Sequence, residues 1–192
     1  IDACLGQGVR RLVHFSSIHA VTDPPPGEWV DEATALALDH RRPSYDRSKA
    51  LGERLALDAA GRGLEVVVLA PTAVVGPYDF RPSFFGRVLL LMARGRLPVT
   101  VDGGFDWVDA RDVAAAAMAA AAHPSPSAKY MLSGHWRTLR DVSRVLATFT
   151  GCDSRLAVPL SVARACAPAG ELLCRAGGWT PLFTPYAIEA LR

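Results

Sequence analysis

The hydrophobic and polar positions of this chain predict strands and helices in alternation. Residues 10–15 have the pattern of a strand, and residues 65–70 form a run of strand-forming side chains without alternation. Such a run is typical of a strand that is buried on both faces of a parallel sheet. Residues 44–61, between these strands, predict a helix with Ser44 as its N-cap and Gly61 at its end. Strand, helix and strand in this order predict a βαβ unit.

The rest of the chain continues with helices and short strands. Asp109 is the candidate N-cap of an alanine-rich helix, and Thr138 caps a helix that ends near Gly151. The other predicted elements are the end of a helix at 1–8, a loop at 71–82, a helix at 84–94, strands at 97–101 and 129–132, and helices at 160–176 and 185–192. This order predicts an α/β fold with a parallel sheet and a smaller C-terminal lobe.

The amino-acid composition argues against several classes of function. The chain has 192 residues, of which 50% are hydrophobic, so it can bury a sizeable core. The net charge is +2 without a basic run, so nucleic acid is not an expected partner. Its apolar runs are too short to span a bilayer. The four cysteines lack metal-ligand spacing, which favours reduced, mostly buried cysteines in a cytoplasmic protein without a metal site.

The stretch Tyr45-Asp46-Arg47-Ser48-Lys49 carries candidate chemistry. It places a tyrosine and a lysine four residues apart, on one face of the predicted helix. A free phenol is a weak acid with a pKa of about 10, and a neighbouring ammonium favours its phenolate form. Ser16-Ser17 follow the first predicted strand and Pro71-Thr72 follow the second. Because the carboxyl ends of parallel strands meet at one edge of a sheet, we expect these segments to lie near Tyr45.

Four segments carry motifs of a known family, in the family's order. Residues 8–17 resemble its strand with a catalytic serine, and Tyr45 to Lys49 match its Tyr-x-x-x-Lys motif. Residues 70–77 resemble its Arg-Pro-x-x-Val-x-Gly-Pro segment, and residues 105–114 resemble its Val-x-Val-x-Asp-Val-Ala helix start. The chain thus resembles the extended short-chain dehydrogenase/reductase superfamily, in its NAD-dependent epimerase/dehydratase group.

The resemblance also implies a branch and a domain organisation. Ser-Ser-Ile after a Val-Arg-Arg strand, and the lobe around residues 181–184, look most like the dihydroflavonol reductase and 3β-hydroxysteroid dehydrogenase branch. Residues 1–150 would be the C-terminal portion of a Rossmann-type, doubly wound NAD(P)-binding domain. Residues 151–192 would be part of a small, mostly helical substrate lobe.

Roles follow from the resemblance, residue by residue. Tyr45 would be the general acid–base, and Lys49 would favour its phenolate and hold the nicotinamide ribose. Ser17 would hydrogen-bond the substrate oxygen, with Ser16 as the rival for that role. NAD or NADP would supply the hydride chemistry.

Further residues are candidates for binding rather than catalysis. The cofactor contacts that the resemblance implies are Ser16, Tyr45, Lys49, Ala70, Pro71, Thr72 and Val74. His19, Phe80 and Phe84 are candidate substrate contacts, although a loop histidine is often ordinary polar surface and the phenylalanines are as consistent with core packing. His14 is expected to alternate on its strand and pack in the core.

One family motif has no counterpart in the sequence. The glycine-rich loop Gly-x-x-Gly-x-x-Gly, which cradles the dinucleotide phosphates, does not occur. We therefore expect the chain to be a fragment of a longer enzyme that lacks one βαβαβ half, on the order of 80–100 residues. Such a fragment would bind dinucleotide poorly, be inactive alone and leave the strand at 10–15 as an exposed edge.

The leading functional hypothesis is an NAD(P)-dependent oxidoreductase that acts on a ketone or secondary alcohol of an apolar, medium-sized small molecule. The alternatives are a nucleotide-sugar epimerase or dehydratase with the same three residues, and a non-catalytic dinucleotide-binding protein. The sequence leaves open whether the protein forms a homodimer.

Overall fold

The computed structural model describes residues 1–25, 27–122, 127–154, 156–178, 184–189 and 191. The elements are, in chain order, α1 (Asp2–Gly6), β1 (Arg11–Phe15), a 3₁₀ turn (Ile18–Ala20), α2 (Ser44–Ala60), β2 (Glu65–Pro71), β3 (Ala73–Val75), α3 (Phe84–Ala93), β4 (Val99–Val101), β5 (Gly104–Asp109), α4 (Ala110–Ala122), β6 (Ser127–Leu132), β7 (His135–Thr138), α5 (Leu139–Thr150), β8 (Leu156–Val158), α6 (Leu160–Ala176) and α7 (Pro185–Glu189).

These elements are divided between two units. The first unit comprises Ile1–Val74 and Val108–Gly134, and the second comprises Val75–Trp107 and His135–Arg192. The predicted division of the chain into residues 1–150 and 151–192 stays a prediction.

The first unit is built around a parallel sheet with the strand order β1-β2-β6. Val66 and Val68 of the central strand β2 pack against Ala56 and Ala59 of α2 on one face of this sheet. On the other face, other β2 side chains form a cluster with Ala117 and Ala120 of α4. The predicted α/β fold with a parallel, Rossmann-like sheet is therefore confirmed, and β2 is buried on both faces, as its unbroken apolar run indicates.

The register of this sheet determines which polar side chains share a face. His14 of β1 pairs with Val68 of β2, and Val68 pairs with Lys129 of β6. Paired residues of parallel strands point to the same face of a sheet, and Val68 faces α2. His14 and Lys129 therefore lie in one row under α2, on either side of a buried valine.

The second unit has its own core, which lies between helices and short strands. Val88 and Met92 of α3, Val101 of β4, Leu139 of α5 and Ile188 of α7 form its centre. Within this unit β4 pairs in parallel with β8, and β5 pairs antiparallel with β7. The aromatic rings of this unit include a chain of edge-to-face contacts among Phe84, Phe85, Phe105 and Trp107.

The predicted caps of α5 are confirmed. Thr138 Oγ1 accepts the backbone N–H of Asp141 at 3.0 Å, and the Asp141 carboxylate accepts the backbone N–H of Thr138 at 3.2 Å, which is a capping box. Gly151 ends the helix with φ 70°, a left-handed conformation that glycine adopts without a Cβ clash. Asp109 similarly accepts the backbone N–H of Arg111 at the start of α4.

Several sequence predictions were wrong in detail. Pro43, not Ser44, is the N-cap of α2, because Pro43 is extended (ψ 146°) and Ser44 already begins the helix. Strands β3, β5, β7 and β8 were missed, since short strands depend on partners that local pattern does not show. The last helix is Pro185–Glu189. Two of the residues predicted to extend it, 190 and 192, lie outside the described part of the chain.

The cysteines differ from the expectation that most are buried. Cys4, Cys152 and Cys174 are half-buried and Cys166 is exposed. Cys4 lies in α1, and Cys166 and Cys174 lie on α6, elements that have solvent on one side. Amphipathic spacing therefore leaves these thiols at the rim of the core.

Candidate active site

The carboxyl ends of the first unit's strands form one edge, which holds the segments that the sequence predicted to converge. The backbone N–H of Ser16 continues the β1–β2 ladder by donating to the Leu69 carbonyl at 2.7 Å. At the other side of β2, the N–H and hydroxyl of Thr72 both donate to the Leu132 carbonyl, at 3.1 and 3.2 Å. The residues after β1 and β2 therefore leave the sheet side by side.

The two serines after β1 have different hydrogen-bond partners. Ser16 Oγ donates to Oε2 of Glu53 at 2.5 Å, so its single proton is engaged. Ser17 Oγ accepts the backbone N–H of His19 at 3.2 Å and caps the 3₁₀ turn. A hydroxyl that accepts can still donate its own proton. Of the two, Ser17 is therefore the one whose proton is directed at no side chain in the described hydrogen bonds.

Tyr45 lies in the first turn of α2, with 46% of its surface exposed. The ring of His19 meets the Tyr45 ring edge-on, with centroids 5.9 Å apart. Nδ1 of His19 lies 3.8 Å from Oδ1 of Asp46, a carboxylate that is only 5% exposed. Tyr45 is thus partly exposed, and its ring is in contact with the imidazole of His19, which lies near the Asp46 carboxylate.

Lys49 lies one turn after Tyr45 on α2. Its Nζ donates to the Phe15 carbonyl at 3.3 Å, which brings the ammonium to the last residue of β1. Burial lowers the pKa of His14, the Lys49 ammonium lowers it further, and the Glu53 carboxylate raises it. Both charges therefore act on the same imidazole beneath the helix.

A buried polar cluster beside this edge was not identified from the sequence. It consists of Glu53 of α2, Ser16 and Lys129 of β6: Lys129 Nζ lies 2.7 Å from Glu53 Oε1. The side chain of Glu53 is 1% exposed and that of Lys129 is 11% exposed. The spacing of Tyr45, Lys49 and Glu53, four residues apart in each step, could have placed Glu53 on the same helix face. Lys129 could not be placed without the β2–β6 register.

The remaining candidate binding residues fall into two groups. Ala70, Pro71, Thr72 and Val74 belong to the first unit, where Ala70 is fully buried in β2 and Pro71 ends it. Phe80 and Phe84 belong to the second unit, where Phe80 is 89% exposed and Phe84 packs against the core. The roles of all these residues in binding stay predictions.

Other site types are not found in the described part of the chain. No group of three or more His, Cys, Asp or Glu side chains there is placed to hold a metal ion. Among the helices of the described residues, none has the length and apolar character needed to cross a membrane.

Comparison with known proteins gives a consistent family match. The model of the NAD dependent epimerase/dehydratase family matches residues 1–132. Sterol demethylase protein B of Methylococcus capsulatus is 39% identical over 153 residues, which cover 79% of this chain and 46% of that protein. A putative dihydroflavonol 4-reductase of Synechocystis is 30% identical over 158 residues, which cover 80% of this chain and 46% of that protein. The chain therefore spans about half the length of these curated relatives.

A solved structure shows the same fold. A nucleoside-diphosphate-sugar epimerase from Pseudomonas aeruginosa superimposes with a TM-score of 0.76 at 28% identity, over 99% of this chain and 63% of that one. The motif-based resemblance to this family, and to its dihydroflavonol reductase branch, is confirmed.

Proposed function

This chain belongs to the NAD-dependent epimerase/dehydratase family, and we propose that it carries the acid–base site of an NAD(P)-dependent oxidoreductase that interconverts a ketone and a secondary alcohol. The observation that carries the proposal is the arrangement at the carboxyl edge of the first unit's sheet. There Ser17 has a proton to donate, Tyr45 is open to a ligand, and Lys49 reaches the end of β1.

Tyr45 is proposed to move the proton. In the reduction, its phenol gives a proton to the carbonyl oxygen as that oxygen gains charge, and in the oxidation its phenolate takes the proton back. Lys49, one helical turn after Tyr45, is proposed to hold the nicotinamide ribose beside it. Ser17 donates a hydrogen bond to the same oxygen and stabilises the charge that develops on it.

The side chains at this edge fit a nicotinamide dinucleotide, which would supply or accept the hydride when bound. A lysine ammonium has three donors, and Lys49 gives one of them to the Phe15 carbonyl. The other two suit vicinal ribose hydroxyls. Pro71 and Thr72, at the end of β2, are proposed to line the nicotinamide side of this site, together with Val74 and the main chain of Ser16, whose hydroxyl is engaged by Glu53.

The proposed substrate is an apolar molecule of medium size. Exposed aromatic side chains of the second unit support this class: Tyr78 is 77% exposed and contacts the ring of Phe80, with centroids 6.1 Å apart. The names of the relatives, a sterol demethylase protein and a dihydroflavonol reductase, point to the same class. His19, Phe80 and Phe84 are proposed as substrate contacts.

The test is hydride transfer by the full-length protein. NADH or NADPH oxidation is followed with a dihydroflavonol, a 3-oxosteroid and a 2-alkyl-3-oxoalkanoate as probes. We expect turnover with at least one of them, and a loss of at least about 10²-fold in kcat for Tyr45→Phe, the scale of acid–base catalysis. Tyr186→Phe is the matched control, since this tyrosine of α7 in the second unit is not one of the residues proposed for the site. Equal rates for the two variants would overturn the assignment of Tyr45.

A nucleotide-sugar epimerase is the second candidate, favoured by the structural similarity to such an enzyme. Diphosphate groups are commonly bound by arginine, and Arg81, Arg87 and Arg94 of the second unit are exposed. With UDP-glucose and NAD, an epimerase would form the 4-epimer without net formation of NADH. That result, with no turnover of the three ketones, would replace the oxidoreductase proposal.

A further inference from the structure

Glu53 is a fully buried carboxylate that the proposed mechanism does not use. One of its oxygens accepts the Ser16 hydroxyl at 2.5 Å, and the other lies 2.7 Å from the Lys129 ammonium. The three side chains come from α2, from the end of β1 and from β6, which are far apart in the sequence. They meet directly under the helix that carries Tyr45 and Lys49.

Burial of this ion pair is costly for the fold. Removing two charges from water has a desolvation penalty that their attraction often does not recover, and apolar residues of similar volume are commonly as stable. The neighbouring buried positions of α2 are the apolar residues Ala50 and Ala56, as is usual for the core face of a helix. A charged pair at this place therefore needs a reason other than stability.

The positions of the two lysines of the chain bear on the same buried cluster. Of the 21 basic residues, Lys49 and Lys129 are the two lysines and the rest are arginines. Lys49 reaches the end of β1 through the Phe15 carbonyl, and Lys129 contacts Glu53, which accepts the Ser16 hydroxyl. A lysine ammonium is compact and has a flexible stem, whereas a guanidinium is a wide planar fork. Lys129 places its ammonium 2.7 Å from Glu53 Oε1, with both side chains nearly closed to solvent.

We propose that the Glu53–Lys129 pair is a positioning device that holds the Ser16 hydroxyl and so makes Ser17 the serine that donates to the substrate oxygen. This inference rests on the proposed function and concerns the same site. Lys129 keeps the Glu53 carboxylate in place as an acceptor, and the carboxylate binds the single proton of Ser16. The backbone N–H of Ser16 is fixed at the same time by the Leu69 carbonyl, at 2.7 Å.

The consequence is geometric. With Ser16 held at both its backbone and its side chain, the extended residue Ser17 leaves the strand in one direction, with φ −163° and ψ 157°. Its Oγ then accepts the His19 N–H, and its own proton is left to donate to the substrate oxygen. Without Glu53, the Ser16 side chain is no longer held, and the direction in which Ser17 leaves the strand is less fixed.

The test is a double-mutant cycle between Glu53→Gln and Ser17→Ala in the full-length protein, with the ketone that the probe set above shows to be the best substrate. A small misplacement of a catalytic group can reduce the rate by up to about 10²-fold. We expect Glu53→Gln to lower kcat about tenfold with the KM for the dinucleotide unchanged. In the Ser17→Ala background, the same change should have no further effect on kcat.

Glu65→Gln is the matched control. Glu65 begins β2, at the opposite end of the sheet, and its carboxylate lies 2.6 Å from the Arg11 guanidinium. The Glu65→Gln variant thus loses an ion pair that does not contact Ser16. We expect its kcat to stay at the wild-type value. A rate loss for Glu53→Gln that is equal in both Ser17 backgrounds would show a merely structural role and overturn the inference. A raised KM for the dinucleotide at unchanged kcat would instead make the Ser16 hydroxyl a cofactor contact and would also overturn the inference.

Two further measurements keep the test decisive. If Glu53→Gln does not fold, Ser16→Ala replaces it in the cycle, since it removes one hydroxyl and leaves the Glu53–Lys129 pair intact. Ser16→Thr, which keeps a hydroxyl, should restore the rate.

If no probe is turned over, a crystal structure of Glu53→Gln decides: an unchanged Ser17–His19 hydrogen bond would overturn the inference. Loss of activity in Tyr45→Phe and Ser17→Ala without any effect of Glu53→Gln would leave the proposed function standing and remove only this inference.

Discussion

Lys129 Nζ lies 2.7 Å from Oε1 of Glu53, and the side chains of both residues are nearly closed to solvent. The pair joins β6 to α2 across the face of the sheet that also carries His14. Since α2 carries Tyr45 and Lys49, the same contact links the stability of the fold to the position of the proposed acid–base residues.

Lys129→Met should destabilise the protein strongly. The substitution leaves the Glu53 carboxylate buried without its counter-charge, and breaking one partner of a buried pair costs about 3–5 kcal/mol in free energy of unfolding. The double change Glu53→Met with Lys129→Met should recover most of this loss, because no buried charge remains. Urea unfolding of the single and double variants measures both values.

Arg62→Met is the control for this measurement. Arg62 forms an ion pair with Asp2 at 3.1 Å, but both side chains are more than half exposed. An exposed pair contributes about 0–1 kcal/mol. A Lys129→Met variant as stable as Arg62→Met would mean that the Glu53–Lys129 pair carries no buried charge.

His14→Gln should flatten the dependence of stability on pH between about 7 and 5. Burial and the Lys49 ammonium lower the pKa of His14 in the folded protein below its usual 6.5. The unfolded chain therefore binds this proton more readily, so the contribution is present above the unfolded pKa and is lost as pH falls through the folded one. Wild-type stability should decrease over this range more than that of His14→Gln.

In this pH range, the effect of His14 on stability can be distinguished from the effects of the surface carboxylates. Asp39, Asp109 and Asp141 have lowered pKa values because they accept hydrogen bonds from Arg41, Arg111 and Thr138, respectively, and they titrate below this range. His40→Gln is the matched control, since the His40 side chain is 85% exposed. Parallel curves of unfolding free energy against pH for wild type and His14→Gln would contradict the assignment.

The regular core of the first unit was predictable because its signals are local. The apolar run of β2 and the helical spacing of α2 each follow from a few consecutive side chains. Short strands such as β7 and β8 were not predictable, because their pairing partners lie in distant segments. The Pro43 N-cap was missed because serine is the more common residue at that position.

The site was partly predictable for the same reason. Ser17, Tyr45 and Lys49 follow from motif spacing and from the ends of two predicted strands. Spacing could place Glu53 on the helix face of Tyr45 and Lys49, but it could not predict that Glu53 is buried against Ser16. Lys129 could not be placed either, because it lies on a strand whose register is set by β2. Buried polar networks depend on strand register and on the packing of segments that are distant in sequence, and the spacing of residues within one segment does not reveal either.

Thr138→Ala should lower the free energy of unfolding by about 1 kcal/mol, the usual effect of removing a threonine N-cap. The variant removes the acceptor for the Asp141 N–H and the partner of the Asp141 carboxylate. Thr148→Ala is the matched control in the same helix: its hydroxyl bonds to the Val145 carbonyl within α5, and alanine is the better helix former. Equal urea midpoints for the two variants would show that the capping box contributes nothing.

Ser17→Ala and Ser16→Ala should differ clearly in their effect on catalysis. Removal of a donor to the developing oxyanion lowers kcat by about 10²- to 10³-fold, and we expect this for Ser17→Ala. Ser16→Ala removes a hydroxyl that donates to Glu53 rather than to the substrate, so its loss should be about tenfold, the scale of a positioning effect. Steady-state kinetics of both variants, with urea unfolding to verify that each is folded, gives the comparison. The reverse order would assign the substrate oxygen to Ser16. It would also mean that the Ser16–Glu53 hydrogen bond breaks when substrate binds, since one hydroxyl proton cannot serve both acceptors.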